Sequence, residues 1–307
     1  MIDLSRIPEP IRNPNNCHKD PIPGWAYSYG YKPSLAAGLI FTLLFALALF
    51  VHTFYAIRLR RWVSILLAVG ALTELIGWSG RTWSSACPYN ANAYLMQITT
   101  LIIAPVFVTG ALYILLGMFI TLLGREFSII SPRMYAIVFL VCDVISLVIQ
   151  AVGGAMASMA SSNLEDPWPG TRIMIGGVVF QLIAMTAFTA LAVDFVRRMV
   201  ALGHRLTGPR RSVLIAMFVS LLAIYARNIF RTVELAEGWA GYLMLHERYF
   251  LALDGALMVI AVGIFIAFDP SRAFSGTQQR SPAKRSSDEY QLHSRTPAAK
   301  RWEVIGD

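Results

Sequence analysis

Seven apolar segments dominate this sequence, and each is long enough to cross a hydrocarbon core of about 30 Å. A soluble domain carries about 25% charged residues, whereas only 14% of the residues in this chain are charged. The segments are predicted at residues 33–56, 62–83, 93–122, 134–157, 172–196, 213–235 and 249–268. We therefore predict an all-α fold, a seven-transmembrane helix bundle over residues 33–268.

Basic residues mark one side of the predicted bundle. The connections 57–61, 123–133 and 197–212 contain ten arginines, whereas the opposite connections contain only Arg248. Because basic loops stay on the cytoplasmic side, the N-terminal tail, 1–32, is predicted to be extracellular. The C-terminal tail, 269–307, is predicted to be a disordered basic cytoplasmic tail, since it is rich in Ser, Pro, Lys and Arg. The net charge of +8 thus reflects topology, and no nucleic acid is expected as a partner.

The cysteines and histidines do not form a pattern typical of a catalytic or metal site. Cys17 and Cys87 both lie on the predicted outer side, where oxidising conditions permit a disulfide. Only His52 lies inside a predicted span, which disfavours an intramembrane zinc hydrolase, and no serine has an evident histidine base. The sequence also lacks the GxxxxGK[ST] loop of ATP hydrolysis. We expect no metal, no cofactor and no enzymatic activity.

Ionisable and amide side chains inside the apolar spans are the most informative residues. Each ionisable group costs at least ~2.5–3.5 kcal/mol at mid-membrane, so it needs a partner or a purpose. At a rise of about 1.5 Å per residue, these groups fall at mid-membrane or in the outer half. We predict that they line one polar, hydrated cavity open to the outside; the alternative is a set of buried ion pairs that only hold the bundle together. The predicted cavity residues are Glu74, Arg81, Asp143, Gln150, Gln181, Arg227, Arg231, Glu234 and Asp254.

Three glycines and one proline are predicted to shape the packing of the spans. Gly77, Gly153 and Gly154 are expected to permit close approach of neighbouring helices. Pro105 lies inside the third span, where it is expected to kink the helix and expose a backbone carbonyl.

The order and spacing of these residues resemble a known family. The matching segments run from residue 31 to residue 254 and include Glu74–Arg81 in the second span, Asp143–Ser146 with Gly153–Gly154 in the fourth, and Arg227–Arg231 with Glu234 in the sixth. On these segments the chain is identified as a member of the fungal lipid-translocating exporter family, the RTA-like proteins named for resistance to an aminocholesterol. Trp78 stands where that family usually has tyrosine.

The resemblance implies a seven-helix plasma-membrane protein that moves or exports amphipathic lipids, such as sphingoid long-chain bases, and gives tolerance of toxic amphiphiles. Its expected partners are membrane lipids or amphipathic small molecules, and the oligomeric state stays open. The alternative is a seven-helix receptor or sensor of a lipid or small amphiphile, which has the same topology. A retinal-binding receptor is excluded, because all four lysines lie outside the predicted spans.

Overall fold

The computed structural model describes residues 17–25, 27–59, 62–124, 127–163, 165–203, 206–239 and 241–274. Within them seven helices are long and apolar enough to cross a membrane, and no strand occurs, which confirms the predicted fold. These helices are α1 (Leu35–Leu59), α2 (Trp62–Ala86), α3 (Ala91–Leu123), α4 (Pro132–Ser162), α5 (Trp168–Ala201), α6 (Pro209–Glu237) and α8 (Glu247–Ala267). Two short helices, α7 (Tyr242–Leu245) and α9 (Pro270–Phe274), flank α8. The orientation in the membrane stays a prediction.

Local sequence sets several helix ends. Pro132 and Pro209 occupy the first turns of α4 and α6, where the missing N–H of proline costs nothing. Asn90 caps α3, since its side chain accepts a hydrogen bond from the Ala93 N–H at 3.1 Å. Gly238 follows α6 with φ +82°, a left-handed conformation that glycine adopts without strain. The helices thus stop and start at residues suited to those positions.

The helices run past the predicted segments at most ends. Helix α4 has 31 residues against the predicted 134–157, and α5 has 34 residues against 172–196. Hydropathy reports only the apolar part of a helix, whereas the backbone hydrogen bonds continue into the polar boundary of the membrane. In α8, residues Leu251–Ala256 form a π-helical turn, which the apolar pattern did not indicate.

The helices differ in how much of their surface the bundle covers. Helices α3 and α6 are largely buried and form its centre, whereas α1 and α4 expose most of their apolar side chains. Leu43 and Phe50 on α1 and Val148 on α4 are examples of this exposed face. Such a face suits lipid, so the exposed apolar residues need no further partner in a membrane.

Two of the three predicted packing glycines permit close helix contacts, and the third does not. A Cβ atom at Gly77 would lie 2.6 Å from Leu101 Cδ2, and one at Gly153 would lie 2.5 Å from the Met174 backbone nitrogen. At Gly154 the nearest atom is the Met174 sulfur at 3.5 Å, an ordinary contact distance. Gly154 is therefore not required for packing, because it lies about 100° around α4 from Gly153 and faces away from the α5 backbone.

The start of the predicted disordered tail, 269–307, is ordered, which corrects that boundary. Residues Pro270–Phe274 form α9, in which Ala273 and Phe274 are buried. The Phe274 ring lies 5.0 Å from the Phe119 ring, and Arg210 Nε donates a hydrogen bond to the Ala273 carbonyl at 3.3 Å. A helix this short leaves no periodic pattern in the sequence. The rest of the predicted tail lies outside the described residues.

The segment before α1 packs over one end of the bundle. Cys17 and Cys87 form a disulfide with their Cα atoms 4.8 Å apart, so this segment is joined covalently to the end of α2. The Tyr29 ring packs edge-on against Tyr94 of α3, 4.8 Å between centroids. We call the end of the bundle that carries this disulfide the disulfide end; by the predicted orientation it faces outward.

Candidate functional site

Five charged side chains from three helices meet in the half of the bundle nearer the disulfide end. Arg231 Nε donates to Asp254 Oδ1 at 2.8 Å, and Arg231 Nη1 donates to Glu234 Oε2 at 2.9 Å. Arg227 Nε lies 3.0 Å from the same Asp254 oxygen, an ion pair whose angle does not suit a hydrogen bond. Glu74 of α2 completes this set, which we call the arginine cluster. All five side chains are buried.

The helix geometry explains why these residues converge. Residues 227, 231 and 234 are spaced at i, i+4 and i+7, so they share one face of α6. Asp254 lies in the π-helical turn of α8, and such turns shift side chains by about one position and often occur at functional sites. The turn thus sets which way α8 presents its carboxylate to α6.

Pro105 supplies a backbone acceptor to the cluster. Proline has no N–H, so the carbonyl four residues earlier in α3, that of Leu101, loses its helical donor. Arg227 Nη2 donates to this carbonyl at 2.6 Å. The carbonyl that the sequence predicted near Pro105 is therefore bound to a guanidinium and is not open to solvent.

Two carboxylate oxygens of the cluster have no hydrogen-bond donor within the described residues. Glu74 Oε2 accepts from Trp78 Nε1 at 3.2 Å, but Glu74 Oε1 has no donor. Asp254 Oδ2 also has none. Both residues are 0% exposed. Most buried acceptors in proteins are satisfied, so two unsatisfied carboxylate oxygens in one cluster require an explanation.

Trp78 contacts both Glu74 and the helical turn that carries Asp254. It is hydrogen-bonded to Glu74 and stacks on Phe41 with ring centroids 4.1 Å apart. A Cβ atom at Gly255 would lie 2.6 Å from Trp78 Cζ2, so glycine at this position lets the indole reach the turn that carries Asp254.

A second ion pair lies between the arginine cluster and the disulfide end. Arg81 Nη2 donates to Glu247 Oε1 at 2.7 Å and to the Tyr31 hydroxyl at 2.9 Å. The Ser34 backbone N–H donates to the same Glu247 oxygen at 2.9 Å. These contacts join α2, α8 and the segment before α1, so Arg81 lies in an outer layer rather than in the cluster.

Two aromatic side chains, those of Tyr29 and Phe250, adjoin this outer layer. Burial raises the pKa of Tyr29 to about 12, so its phenol stays protonated and donates to Gln97 Oε1 at 2.6 Å. The Phe250 ring lies between the layers, 4.6 Å from the Arg81 guanidinium carbon and 5.2 Å from that of Arg231. One ring thus has a cation–π contact with each layer.

Asp143, Gln150 and Gln181 form a separate polar row between α3, α4 and α5. Asp143 Oδ2 accepts from the hydroxyls of Thr109 and Tyr113, both at 2.9 Å. Further along the same face of α4, Gln150 Nε2 donates to Ser146 Oγ at 2.7 Å and to Gln181 Oε1 at 3.1 Å. The Ser146 hydroxyl in turn donates to the Gly177 carbonyl at 2.7 Å. We call this set the α4 row.

A small pocket separates the α4 row from the arginine cluster. Its volume is about 20 Å³, and a water needs about 10–15 Å³, so it has room for one or two waters. Among the described residues, this space is much smaller than the predicted open cavity, and Arg227 and Arg231 line it. The pocket is lined by Ile98, Ile102, Gln150, Met174, Val178, Gln181, Arg227, Asn228, Arg231 and Leu235.

The nine predicted cavity residues thus fall into three groups: five in the arginine cluster, Arg81 in the outer layer, and the other three in the α4 row. Four line the pocket (Gln150, Gln181, Arg227 and Arg231), and Asp254 and Glu234 pair with its arginines. Glu74 joins the cluster from α2, while Arg81 and Asp143 lie outside it. Gln97, Thr109 and Tyr113 were not predicted, although polar side chains inside an apolar span were the signal that identified the others. No group of three His, Cys, Asp or Glu suited to a metal occurs in the described part of the chain.

Comparison with known proteins gives one family. A family model described as RTA1 like protein matches residues 67–277, a range that contains every residue of the arginine cluster and the α4 row. No solved structure matches the chain significantly.

Three proteins of the yeast Saccharomyces cerevisiae are similar over most of the chain. The sphingoid long-chain base transporter RSB1 is 30% identical over 289 residues, which cover 82% of this chain and 76% of that protein. Protein RTA1 is 29% identical over 273 residues, 79% of this chain and 84% of that protein. Protoporphyrin uptake protein 1 is 25% identical over 276 residues, 77% of this chain and 90% of that protein.

Proposed function

This chain belongs to the RTA1-like family, and from that premise we propose that it moves amphipathic lipids of the sphingoid long-chain base type across a membrane without hydrolysing ATP itself. The names of its relatives, a sphingoid base transporter and a protoporphyrin uptake protein, support an amphipathic ligand. We further propose export at the plasma membrane, on the resemblance to lipid-exporting proteins.

The observation that carries the proposal is the pair of unsatisfied oxygens, Glu74 Oε1 and Asp254 Oδ2. A long-chain base has a primary ammonium with three N–H donors and no acceptor. Charge-assisted hydrogen bonds from an ammonium to these oxygens would supply the donors that the protein itself does not provide. The lipid tail would stay in the hydrocarbon, where it has no desolvation cost.

The charges of the arginine cluster and the outer layer also favour a cation as the ligand. Three arginines (Arg81, Arg227 and Arg231) face four carboxylates, which belong to Glu74, Glu234, Glu247 and Asp254. With all groups ionised, the buried set has one negative charge in excess. Burying an unpaired charge is costly, so a bound cation stabilises the set.

The described state is closed around this site. The pocket beside the cluster has room for only one or two waters and is lined by neither Glu74 nor Asp254, so an ammonium with its neighbouring hydroxyls requires the helices to part. The contacts nearest the disulfide end are those of Arg81 with Glu247 and Tyr31. We infer that these contacts open when the headgroup enters or leaves on that side, as lids do in other binding proteins.

Glu74→Gln is expected to slow transport without loss of folded protein. Glutamine keeps an oxygen for the Trp78 N–H but lacks the charge that attracts an ammonium. A hydrogen bond to a charged group contributes about 1.5–3 kcal/mol, so binding of the lipid should weaken by about 10–100-fold. The measurement is the flip rate of a fluorescent sphingosine in vesicles that contain the purified protein.

The matched control is Glu165→Gln, since Glu165 is exposed in the connection between α4 and α5. It should flip the lipid at the wild-type rate. Equal rates for Glu74→Gln and Glu165→Gln would contradict the acidic site. A wild-type protein that binds sphingosine but does not speed its flip over protein-free vesicles would instead favour the receptor.

A further inference from the structure

Asp143 differs from the other buried acids in the kind of partner it has. Asp254, Glu234 and Glu247 bind guanidinium groups, which donate hydrogen bonds but cannot accept them. Asp143 has no ion pair within the described residues and binds only the hydroxyls of Thr109 and Tyr113. A hydroxyl both donates and accepts, so the same partners suit a carboxylate and a protonated carboxyl.

Thr109 has a second acceptor, so its hydroxyl can change from donating to Asp143 to accepting from it without movement of heavy atoms. Its Oγ1 lies 2.9 Å from Asp143 Oδ2 and 3.1 Å from the Val106 carbonyl oxygen. When Asp143 is ionised, the Thr109 hydroxyl donates to the carboxylate. When Asp143 is protonated, the hydroxyl can turn to donate to Val106 and accept the carboxyl proton. The Thr109 hydroxyl then has a hydrogen-bond acceptor in both states.

We propose that Asp143 is a proton-exchange site that couples lipid movement to a proton moving in the opposite direction. This inference rests on the proposed function, because a coupling ion has meaning only where a lipid is moved. The step is balanced in charge: one ammonium lipid crosses one way while one proton is taken up and released by the Asp143 carboxyl. No covalent bond forms or breaks.

The α4 row gives the proton a polar route to the pocket. Ser146 and Gln150 lie three and seven residues after Asp143, on the same face of α4. Gln150 bonds Ser146 and Gln181, and both glutamines line the pocket beside Arg227. The pocket thus lies at one end of the row and the Asp143 carboxyl at the other.

Helix α3 gives a mechanical link between the proton site and the arginine cluster. Leu101, which binds Arg227, and Thr109, which binds Asp143, are eight residues apart, about 12 Å along the helix. Pro105 lies between them and breaks the hydrogen-bond ladder there. A change in the Asp143 contacts can therefore move one half of α3 relative to the other and disturb the Arg227 contact.

Few other titratable groups face Asp143. From α3 the titratable side chain in contact is Tyr113, and on α4 itself Cys142 is adjacent in sequence. Helix α5 presents the Phe188 ring to Tyr113, with centroids 4.5 Å apart. Among the described residues no charged side chain of α5 contacts Asp143. The arginine cluster therefore acts on Asp143 through α3 and the α4 row and not through a direct contact.

The test compares Asp143→Asn with Asp194→Asn in vesicles under an imposed pH gradient. Asparagine is uncharged like the protonated carboxyl, and its amide oxygen can accept from both the Thr109 and the Tyr113 hydroxyls at the position of Asp143 Oδ2, so the fold should persist. Asp194 lies on α5 in a half-exposed pair with Arg198 and serves as the matched control. The uncharged amine also crosses the bilayer by itself and is trapped where the pH is lower, but this uptake is the same in vesicles with either protein.

With one proton per lipid, the wild type and Asp194→Asn should accumulate fluorescent sphingosine severalfold faster under the pH gradient than Asp143→Asn, with protein-free vesicles showing the uptake that trapping alone gives. Flip at equal pH should persist in Asp143→Asn. Infrared spectra of the protein should show a carboxylic-acid C=O stretch that titrates in the wild type and is missing in Asp143→Asn.

Equal accumulation by Asp143→Asn and the wild type would overturn the coupling and leave the proposed function intact. Failure of the wild type to flip the lipid at equal pH would overturn the proposed function itself, and the coupling with it. If Asp143→Asn does not fold, Thr109→Val keeps the carboxyl and removes the exchanging hydroxyl. A Thr109→Val protein with the wild-type pH profile of transport would also contradict the inference.

Discussion

Replacing Asp254 by asparagine is expected to lower the amount of folded protein in the membrane severalfold and to abolish transport by what remains. Asp254 Oδ1 is shared by Arg227 and Arg231, so asparagine would leave Arg231 with Glu234 and Arg227 with no ion pair among the described residues. Removing one partner of a buried ion pair costs about 3–5 kcal/mol, because the other charge stays in a poor solvent. Size-exclusion chromatography and thermal melting of the tagged variant measure this loss.

Asp194→Asn is the control for that loss of stability. It breaks an ion pair of similar length, 2.8 Å, but the pair is half-exposed on α5. Exposed pairs contribute about 0–1 kcal/mol, so abundance and melting temperature should stay near those of the wild type. If Asp254→Asn were as stable as Asp194→Asn, the shared carboxylate would not be what stabilises the arginine cluster.

A charge-balanced double variant separates the structural role of Asp254 from its role in binding. Asp254→Asn combined with Arg227→Gln removes one charge of each sign from the cluster. Much of the lost stability should return, since Arg231 keeps Glu234. Transport should not return, because the acceptor proposed for the ammonium is still missing. Recovery of both together would mean that Asp254 serves only to neutralise arginine.

Glu74 and Asp254 are therefore expected to behave differently, a distinction that could not be predicted from their positions in the sequence. Within the described residues Glu74 has a Trp78 N–H as its partner and no ion pair. Its charge can be removed without leaving an arginine unpaired. A Glu74 variant is thus expected to lose transport at normal abundance, whereas an Asp254 variant is expected to lose both transport and abundance.

The number of helices and the set of buried charges could be predicted from sequence, whereas the pairing of those charges could not. Hydropathy identifies long apolar spans because the membrane acts on composition over about 20 residues. The partner of Arg231 depends on the register of α8 against α6, which the π-helical turn at Leu251–Ala256 sets. No periodic pattern in the sequence signals such a turn.

The predicted cavity was too large for a related reason. Counting the rise per residue gives the depth of Arg227 and Asp143 but not the direction in which their side chains point. In the structure Arg227 reaches the Leu101 carbonyl and closes the space between α3 and α6, while Asp143 faces Thr109 and Tyr113 instead of the cluster. One predicted polar site therefore becomes an ion-pair cluster and a separate row.

Gly153→Ala is expected to destabilise the protein strongly, whereas Gly154→Ala should have little effect. A Cβ atom at Gly153 would lie 2.5 Å from the Met174 nitrogen and 2.7 Å from the Gly170 carbonyl oxygen, and backbone atoms cannot rotate away. Overpacking of this kind costs typically about 1–3 kcal/mol and more where the backbone must shift. At Gly154 the nearest atom is a methionine sulfur at 3.5 Å, at the flexible end of a side chain.

The adjacent glycines make this comparison strict, because helix propensity and membrane depth are nearly the same at both positions. Thermal melting should therefore report the contact between α4 and α5 alone. Separation of these helices would also part Gln150 from Gln181, so we expect Gly153→Ala protein that does fold to lose its response to a pH gradient. Equal melting temperatures for the two variants would show that α4 and α5 do not approach as closely as the Gly153–Met174 contact requires.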